Sequence, residues 1–408
     1  MIVRDPLIHA TSYYLRAEAG ESAARRAARR ELFAEELRRV ARQLAGWLAL
    51  PAPQLPTLPT WEGDGPRTLQ LVLEAQALQG PSGFSAALSA YVLRNMWLLR
   101  VIVARNGEYA PEVWEQLDAV LNGAPPAESW LHTVHYWCGM APRPPEELAE
   151  TRTQSVQATF GVLCLGHETQ PHVLVYPDAR ARHRANAFLR TLAPRLDWYT
   201  VQARHRLSAY TDHAAIAARR QEQALERVSQ AARLWEIPSP AWRLGTSALA
   251  SFQAELSALE TLHREVNEDL RHTRAVAAEL HALADEYRLL VMQHGLWAAA
   301  PTVWEAETEA LRALARQVET DTHHVEATLR RLDFLAHTFQ ARLAVRQSEQ
   351  IRQLGVWGVA LGAVLLGVML ASAELGQTLV RLVVLGALLA LIGAAWWAWR
   401  TQNRPGAS

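Results

Sequence analysis

The chain contains no lysine and only two cysteines. Its 41 basic residues are all arginine, and 41 acidic residues balance them, so the formal net charge is zero. A balanced charge is untypical of proteins that bind nucleic acid in general, so we expect no nucleic-acid partner. Cys138 and Cys164 are too few for a disulfide framework or a cysteine metal site, and we interpret both as buried, reduced residues.

The common catalytic motifs are missing as well. The sequence has no Gly-rich phosphate loop of either usual type, no Gly-x-Ser-x-Gly elbow and no caspase-type cysteine motif. His132, His135 and Cys138 are spaced by three, which on a helix would form a metal face. The surrounding residues alternate as in a strand, however, and a strand would place the two histidines on opposite faces. We therefore predict no catalytic residue, no cofactor, no metal site and no enzymatic activity.

The first 196 residues mix strand and helix signals. The apolar stretch 91–103 fits a buried strand or a short helix equally well. The other segments predict strands at 7–15, 68–73, 130–137, 159–165 and 172–176, and helices at 21–48 and 111–121. Together they predict an α+β domain over residues 1–196, with a ferredoxin-like arrangement as the expected topology.

Strand signals end at residue 197, and a helical stalk is predicted over 197–353. Prolines divide it into three helices, and the second and third carry apolar residues at heptad spacing. This pattern predicts an antiparallel coiled-coil bundle, which packs on itself or on neighbouring chains in a homo-oligomer. The predicted seam consists of Leu249, Phe252, Leu256, Leu259, Val266, Leu270, Leu311, Val318, Val325, Leu332 and Phe339.

The C-terminal region has two uncharged runs, 355–373 and 382–399. As helices they would each be roughly 27–29 Å long, close to the hydrocarbon thickness of a bilayer. Arginines flank both outer ends, which predicts a transmembrane hairpin over 354–400 and a cytoplasmic tail over 401–408. The chain would then be a multi-pass protein of a bacterial inner membrane, with both termini in the cytoplasm. The residues expected to pack the two spans together are Gly358, Gly362, Gly386, Ala390 and Gly393.

This layout of domain, long stalk and terminal hairpin resembles the CorA-type magnesium channels. That family has Gly-Met-Asn after the first span, whereas this chain has Gly376-Gln377-Thr378, preceded by Leu375 in place of an aromatic residue. The resemblance implies a divalent-cation channel or transporter as an alternative function, and no residue role is carried over. A hairpin that perturbs the membrane as an effector is a further alternative.

Four stretches of the first half carry a second resemblance. They read VWEQLDAVLNGAP at 113–125, FGVL at 160–163, VLVYP at 173–177 and LAPRLDWYTVQARHR at 192–206. They resemble the CATRA proteins, the caspase- and TPR-repeat-associated proteins of bacterial conflict systems, over about residues 1–210. The resemblance implies a membrane-anchored, non-enzymatic adaptor or sensor in defence. Its implied partner is a caspase-like peptidase or a TPR protein.

Overall fold

The computed structural model describes most of the chain in two compact units. Unit 1 comprises Met1–Ala209 and Val276–Gln317, and unit 2 comprises Tyr210–Ala275 and Val318–Ser408. The residues described are 2–18, 20–60, 65–80, 83–121, 129–142, 154–166, 170–235, 246–374 and 386.

Unit 1 is built on one mixed sheet of nine strands, ordered β2-β3-β4-β1-β6-β9-β8-β7, with β5 paired to β1. The neighbours β6 and β9 are parallel and the other pairs are antiparallel. The predicted ferredoxin-like topology is therefore wrong, because that motif has only four strands. The strands are β1 (Val3–Leu15), β2 (Gln70–Gln79), β3 (Phe84–Leu93), β4 (Met96–Arg105), β5 (Glu108–Tyr109), β6 (Trp130–Met140), β7 (Ser155–Ala158), β8 (Gly161–Cys164) and β9 (His172–Tyr176).

The central strands are buried on both faces. Ten of the 13 residues of β1 are buried, and β4 contains the nearly continuous apolar sequence MWLLRVIV. Such runs are typical of strands that are covered by helices on both sides. The ambiguous stretch 91–103 forms the end of β3, a tight turn and most of β4, and Arg94 in the turn has a φ of 50°.

Helix α1 (Ala23–Trp47) covers one face of the sheet. The hydroxyl of Ser22 caps it by accepting a hydrogen bond of 3.3 Å from the backbone N–H of Arg25. The ring of Phe33 stacks on Trp97 at a centroid distance of 5.3 Å, so this helix face is part of the main core. Two further helices of unit 1 are α2 (Val113–Ala119) and α3 (Ala179–Thr191), of which α3 was not predicted.

Four helices follow along the chain: α4 (Ala193–Trp235), α5 (Thr246–Gln293), α6 (Leu296–Ala299) and α7 (Pro301–Glu374). The predicted boundary at residues 196 and 197 lies in the first turns of α4. In unit 2, Arg220 pairs with Asp269 and Arg227 pairs with Glu255, so α4 and α5 run antiparallel.

The predicted seam residues lie in α5 and α7. The side chains of Leu249 and Phe252 lie outside the described part, and Leu256 is half-buried against the core of unit 2. The remaining eight are buried: Leu259, Val266, Leu270, Leu311, Val318, Val325, Leu332 and Phe339.

The predicted transmembrane hairpin requires correction. A crossing helix needs about 20 consecutive apolar residues, and among the residues that the structure describes no helix is long and apolar enough to cross a membrane. This finding contradicts the hairpin and the multi-pass localisation inferred from it. Gly358 and Gly362 lie in α7 with open space around them. Of the second predicted span, the structure describes only Gly386, so Ala390 and Gly393 lie outside the described residues.

Candidate functional site

A cavity of about 500 Å³ lies in unit 1, beside the first half of β6. In the described part of the sheet, β9 pairs with β6 only from Tyr136 onward, so Trp130–His135 has no β9 residue beside it. The cavity reaches both faces of the sheet there, since its lining includes Thr133 from one face and Tyr136 from the other. Helices contribute further walls: Glu36, Arg39 and Gln43 of α1, Asp118 of α2, Asp197, Thr200 and Arg204 of α4, Tyr287 of α5, and Trp304 and Glu307 of α7.

Asp197 is a buried acid whose side chain lines this cavity. Its side chain is buried, and Oδ1 accepts a hydrogen bond of 2.9 Å from the hydroxyl of Tyr136. Burial raises the pKa of Asp197 to about 8, because a buried carboxylate loses its hydration, and the hydrogen bond from Tyr136 lowers that pKa only in part. The other oxygen, Oδ2, is buried and has no hydrogen-bond partner. Asp197 is therefore a neutral acid at pH 7 with one polar atom unused.

Trp304 brings a second unused polar atom to the same cavity. Its side chain is 2 % exposed, and its indole Nε1–H has no hydrogen-bond partner. Buried polar groups are nearly always paired, so each exception needs an explanation. Two residues with such atoms, Asp197 with Oδ2 and Trp304 with Nε1, line one cavity, so both atoms are available for hydrogen bonds there.

On the sheet face that packs against α1, the lining of the cavity is polar, but its polar groups are paired with one another. His135 Nδ1 lies 2.5 Å from Asp118 Oδ1, and the hydroxyls of Ser12 and Thr133 lie 2.8 Å apart. A histidine, an aspartate and two hydroxyls thus share a wall. Thr133 also accepts from the indole of Trp130 at 3.0 Å, and neither hydroxyl has a hydrogen bond to His135 within the described structure. The contact between nucleophile and base that defines a catalytic triad is not formed.

Glu36 closes the wall from α1. Its side chain is buried and accepts hydrogen bonds from Arg39 at 2.6 and 2.7 Å and from Tyr14 at 3.2 Å. Each of its oxygens accepts a hydrogen bond from the guanidinium of Arg39. Glu36 and Arg39 are thus a structural pair, and the unused hydrogen-bonding capacity lies on the Asp197 side.

The histidines singled out by their spacing are not brought together. In the register of β6 on β1, His132 pairs with Tyr13 and His135 with Ala10, which puts the two on opposite faces. Burial lowers the pKa of His132 to about 4, and the charge of Arg204 adds to the effect. Cys138 is fully buried, and burial raises the pKa of its thiol, so it is an inert thiol.

The residues that form the site were missed in the sequence. Tyr136, Asp197 and Trp304 lie far apart along the chain, so no local motif contains them. One signal was present: Asp197 stands between Leu196 and Trp198, in a helical stretch whose other residues are mostly apolar. An acid on the buried face of a helix is uncommon and is a reason to expect a functional or strongly paired carboxyl.

Comparisons with models of known protein families, with curated proteins and with solved structures found no match to this chain. The resemblances to CATRA and CorA-type proteins therefore have no support from these comparisons. Function has to be argued from the cavity and the helices.

Proposed function

We propose that this chain is a non-enzymatic sensor or adaptor whose unit 1 binds a small polar molecule in the Asp197 cavity. The observation that carries the proposal is the pair of buried, unpartnered atoms, Asp197 Oδ2 and Trp304 Nε1, in one cavity. A volume of about 500 Å³ is in the range of pockets that hold small ligands. Binding is favoured over catalysis because the hydroxyls of the cavity make no hydrogen bond to His135 in the described structure.

The protonation state of Asp197 indicates the chemistry of the ligand. Because its pKa is about 8, the side chain carries a proton at pH 7 and donates through Oδ2. The indole of Trp304 is a donor only. The ligand should therefore present hydrogen-bond acceptors, such as carbonyl or ring-nitrogen atoms, to these two groups. A neutral molecule fits better than a cation, which would require the carboxylate form.

The test is to identify molecules that the protein retains. Purified protein is incubated with a library of small polar metabolites, washed and denatured, and the released molecules are identified by mass spectrometry. Trp304→Phe removes the indole N–H and keeps an aromatic ring, so it should reduce retention of the ligand about tenfold, as expected for one lost hydrogen bond.

Trp297→Phe is the matched control, because Trp297 is a half-buried tryptophan that does not line the cavity. It should retain the ligand as the wild type does. If all three proteins released the same molecules in the same amounts, the cavity would not be the binding site.

The partner is the second part of the proposal. The resemblance of the first 210 or so residues to CATRA proteins supports a caspase-like peptidase or a TPR protein as the partner. Affinity purification from the source cells, with and without the ligand, tests this. If the wild type recovers such a protein and Trp304→Phe does not, a ligand-dependent adaptor is supported. If neither a caspase-like peptidase nor a TPR protein is recovered, the proposed partner is wrong.

Self-association is the third part. Along α7, Phe334 is 68 % exposed and Ile351 is 69 % exposed. Exposed large apolar side chains on one helix favour a protein interface, and a second copy of the chain would satisfy the predicted homo-oligomer. Light scattering should give a mass above one chain for the wild type and a lower mass for Phe334→Ser. A monomer at all concentrations would contradict the proposal.

A further inference from the structure

A second buried polar cluster in unit 1 lies on β1 and β4 and is formed by residues that do not line the Asp197 cavity. Its central residue is Arg100, which is 4 % exposed. One guanidinium nitrogen, Nη2, donates to the hydroxyl of Tyr91, and the guanidinium lies 4.6 Å from the centre of the Tyr91 ring. The other two nitrogens, Nε and Nη1, are buried without a hydrogen-bond partner. A buried guanidinium with two unused nitrogens is unusual, because buried charges are normally paired.

The groups around Arg100 are donors or further cations. In the sheet register, Arg100 is directly opposite Thr11 of β1 and Ser89 of β3, so the three side chains share one face. Thr11 and Ser89 are both buried polar residues. His9 lies on the same face two residues before Thr11, and its Nδ1 is also buried without a hydrogen-bond partner. The cluster thus presents hydroxyls, an imidazole nitrogen and a guanidinium towards the same region.

Positive charge accumulates here without a compensating carboxylate. Burial lowers the pKa of Arg100, and the nearby Arg190 of α3 lowers it further. The pKa of His9 falls to about 3, first through burial and then through the charges of Arg100 and Arg190. No acidic residue contributes to either shift. A neutral His9 in its Nδ1–H tautomer is a hydrogen-bond donor, so all these groups suit one anion.

We propose that His9, Arg100 and Arg190 form a binding site for a single oxyanion group, either a phosphate or a carboxylate. Arg100 supplies two charge-assisted hydrogen bonds from Nε and Nη1, and the hydroxyls of Thr11 and Ser89 and the imidazole of His9 supply neutral ones. Guanidinium groups match both kinds of oxyanion. Arg190 is exposed, and its charge acts on both His9 and Arg100. Neither His9 nor Arg100 lines the Asp197 cavity, although His9 lies opposite Tyr136 in the sheet.

The experiment uses the full chain in an anion-poor zwitterionic buffer, with inorganic phosphate and acetate titrated separately at matched ionic strength. Calorimetry gives Kd, and thermal unfolding gives the shift in Tm. The wild type should bind at least one probe saturably and gain Tm, because a ligand that binds only the folded state stabilises it. Binding of phosphate alone assigns a phosphate site, and binding of acetate alone assigns a carboxylate site.

Arg100→Met should abolish the binding and the gain in Tm. Without anion its Tm should equal or exceed that of the wild type, because an apolar side chain of similar length replaces an unpaired buried charge. If Arg100 served only to stabilise the fold, the Tm of Arg100→Met without anion would instead be lower than that of the wild type. Arg190→Met keeps the buried cluster intact and should weaken binding about tenfold, as expected for one lost charge contact.

Arg180→Met is the matched control for Arg190→Met, because Arg180 is an exposed arginine of the same helix. It should bind as the wild type does. If Arg100→Met failed to fold, the Arg190→Met result would still decide the matter. The site is refuted if the wild type binds neither probe, or if Arg100→Met or Arg190→Met binds as tightly as the wild type.

Discussion

Tyr136 donates a hydrogen bond of 2.9 Å to Asp197 Oδ1, and this bond joins strand β6 to the first turns of helix α4. Burial still raises the pKa of Asp197 to about 8. The folded protein therefore holds a proton on this side chain that the unfolded chain releases at much lower pH. The relationship between these two residues determines both the ligand chemistry of the cavity and part of its pH response.

The first prediction concerns stability as a function of pH. Between the ordinary pKa of 3.8 and the folded pKa of about 8, the folded state binds more protons than the unfolded state. The contribution of Asp197 to stability is thus fully present below the lower pKa and is lost as the pH rises through the higher one. Asp197→Asn mimics the protonated form. Its free energy of unfolding, relative to that of the wild type, should therefore rise by a few kcal/mol between pH 5 and pH 9. Urea unfolding at both pH values measures the difference.

Asp212→Asn is the control, because Asp212 is an exposed aspartate farther along the same helix. It should follow the wild type at both pH values. If the Asp197→Asn variant also followed the wild type, the carboxyl would be ionised in the folded protein at pH 7, and the assignment of Oδ2 as a donor would be wrong.

The second prediction concerns the hydrogen bond itself. Tyr136→Phe removes the donor that lowers the pKa of Asp197, so this pKa should rise above 8. Stability at pH 7 should fall by about 1 kcal/mol, the usual net value of one buried hydrogen bond. Carbon NMR of the aspartate carboxyl groups, titrated with pH, follows the pKa directly.

Tyr13→Phe separates the change in the pKa of Asp197 from the loss of stability. The hydroxyl of Tyr13 donates to the backbone oxygen of Pro194 at 3.0 Å and makes no bond to the carboxyl of Asp197. This variant should lose a similar amount of stability while the pKa of Asp197 rises far less than in Tyr136→Phe. Equal pKa changes in both variants would mean that burial alone, and not the bond from Tyr136, determines the titration.

Much of the fold could be predicted because it rests on local patterns. Strands were predicted at 130–137, where apolar and polar residues alternate, and at 172–176, and β6 and β9 occupy these stretches. Helix α1 was predicted from its apolar face. Helix α3 was missed because most of its residues are arginine and alanine, which gives a weak apolar period, although Asp178 is a good N-cap and accepts from the N–H of Ala181 at 2.7 Å.

Strand pairing and the sites could not be predicted, for a different physical reason. In the described part of the chain between the parallel neighbours β6 and β9, the strands β7 and β8 form an antiparallel pair, and no sequence pattern specifies that strand order. Asp197 and Trp304 line one cavity although they are far apart in the sequence, so no local pattern connects them. The unpaired state of Arg100 depends on which side chains surround it, and composition carries no such information. The transmembrane hairpin was predicted from the length of two uncharged runs and from their flanking arginines, and these features alone do not make a helix apolar enough to cross a membrane.

The third prediction concerns unit 2. Asp269 is 2 % exposed at its side chain and accepts a hydrogen bond of 2.8 Å from Arg220, while His213 lies 3.3 Å from the same oxygen. Asp269→Asn should lower the free energy of unfolding by about 2 kcal/mol, less than for a fully buried pair because the Arg220 side chain is 34 % exposed. Glu268→Gln, at an exposed neighbouring position, should change it by less than about 0.5 kcal/mol. Equal effects would show that the buried pair does not stabilise the bundle.

The fourth prediction concerns Gly161 at the start of β8. Its φ is 130°, and a Cβ placed there would lie 2.2 Å from the backbone oxygen of Val175 in β9. Gly161→Ala should therefore separate β8 from β9 and destabilise the protein by more than about 2 kcal/mol, because a backbone atom cannot move aside as a flexible side chain can.

Gly46 provides the opposite case under the same substitution. It lies in the last turn of α1, its φ is not positive, and a Cβ there meets nothing within 4 Å. Gly46→Ala should stabilise the protein by about 0.5 kcal/mol, because alanine is the better helix former and loses less entropy on folding. Thermal unfolding of the two variants should thus shift Tm in opposite directions. A shift of Gly161→Ala in the same direction as Gly46→Ala would mean that β8 does not approach β9 as closely as the structure indicates.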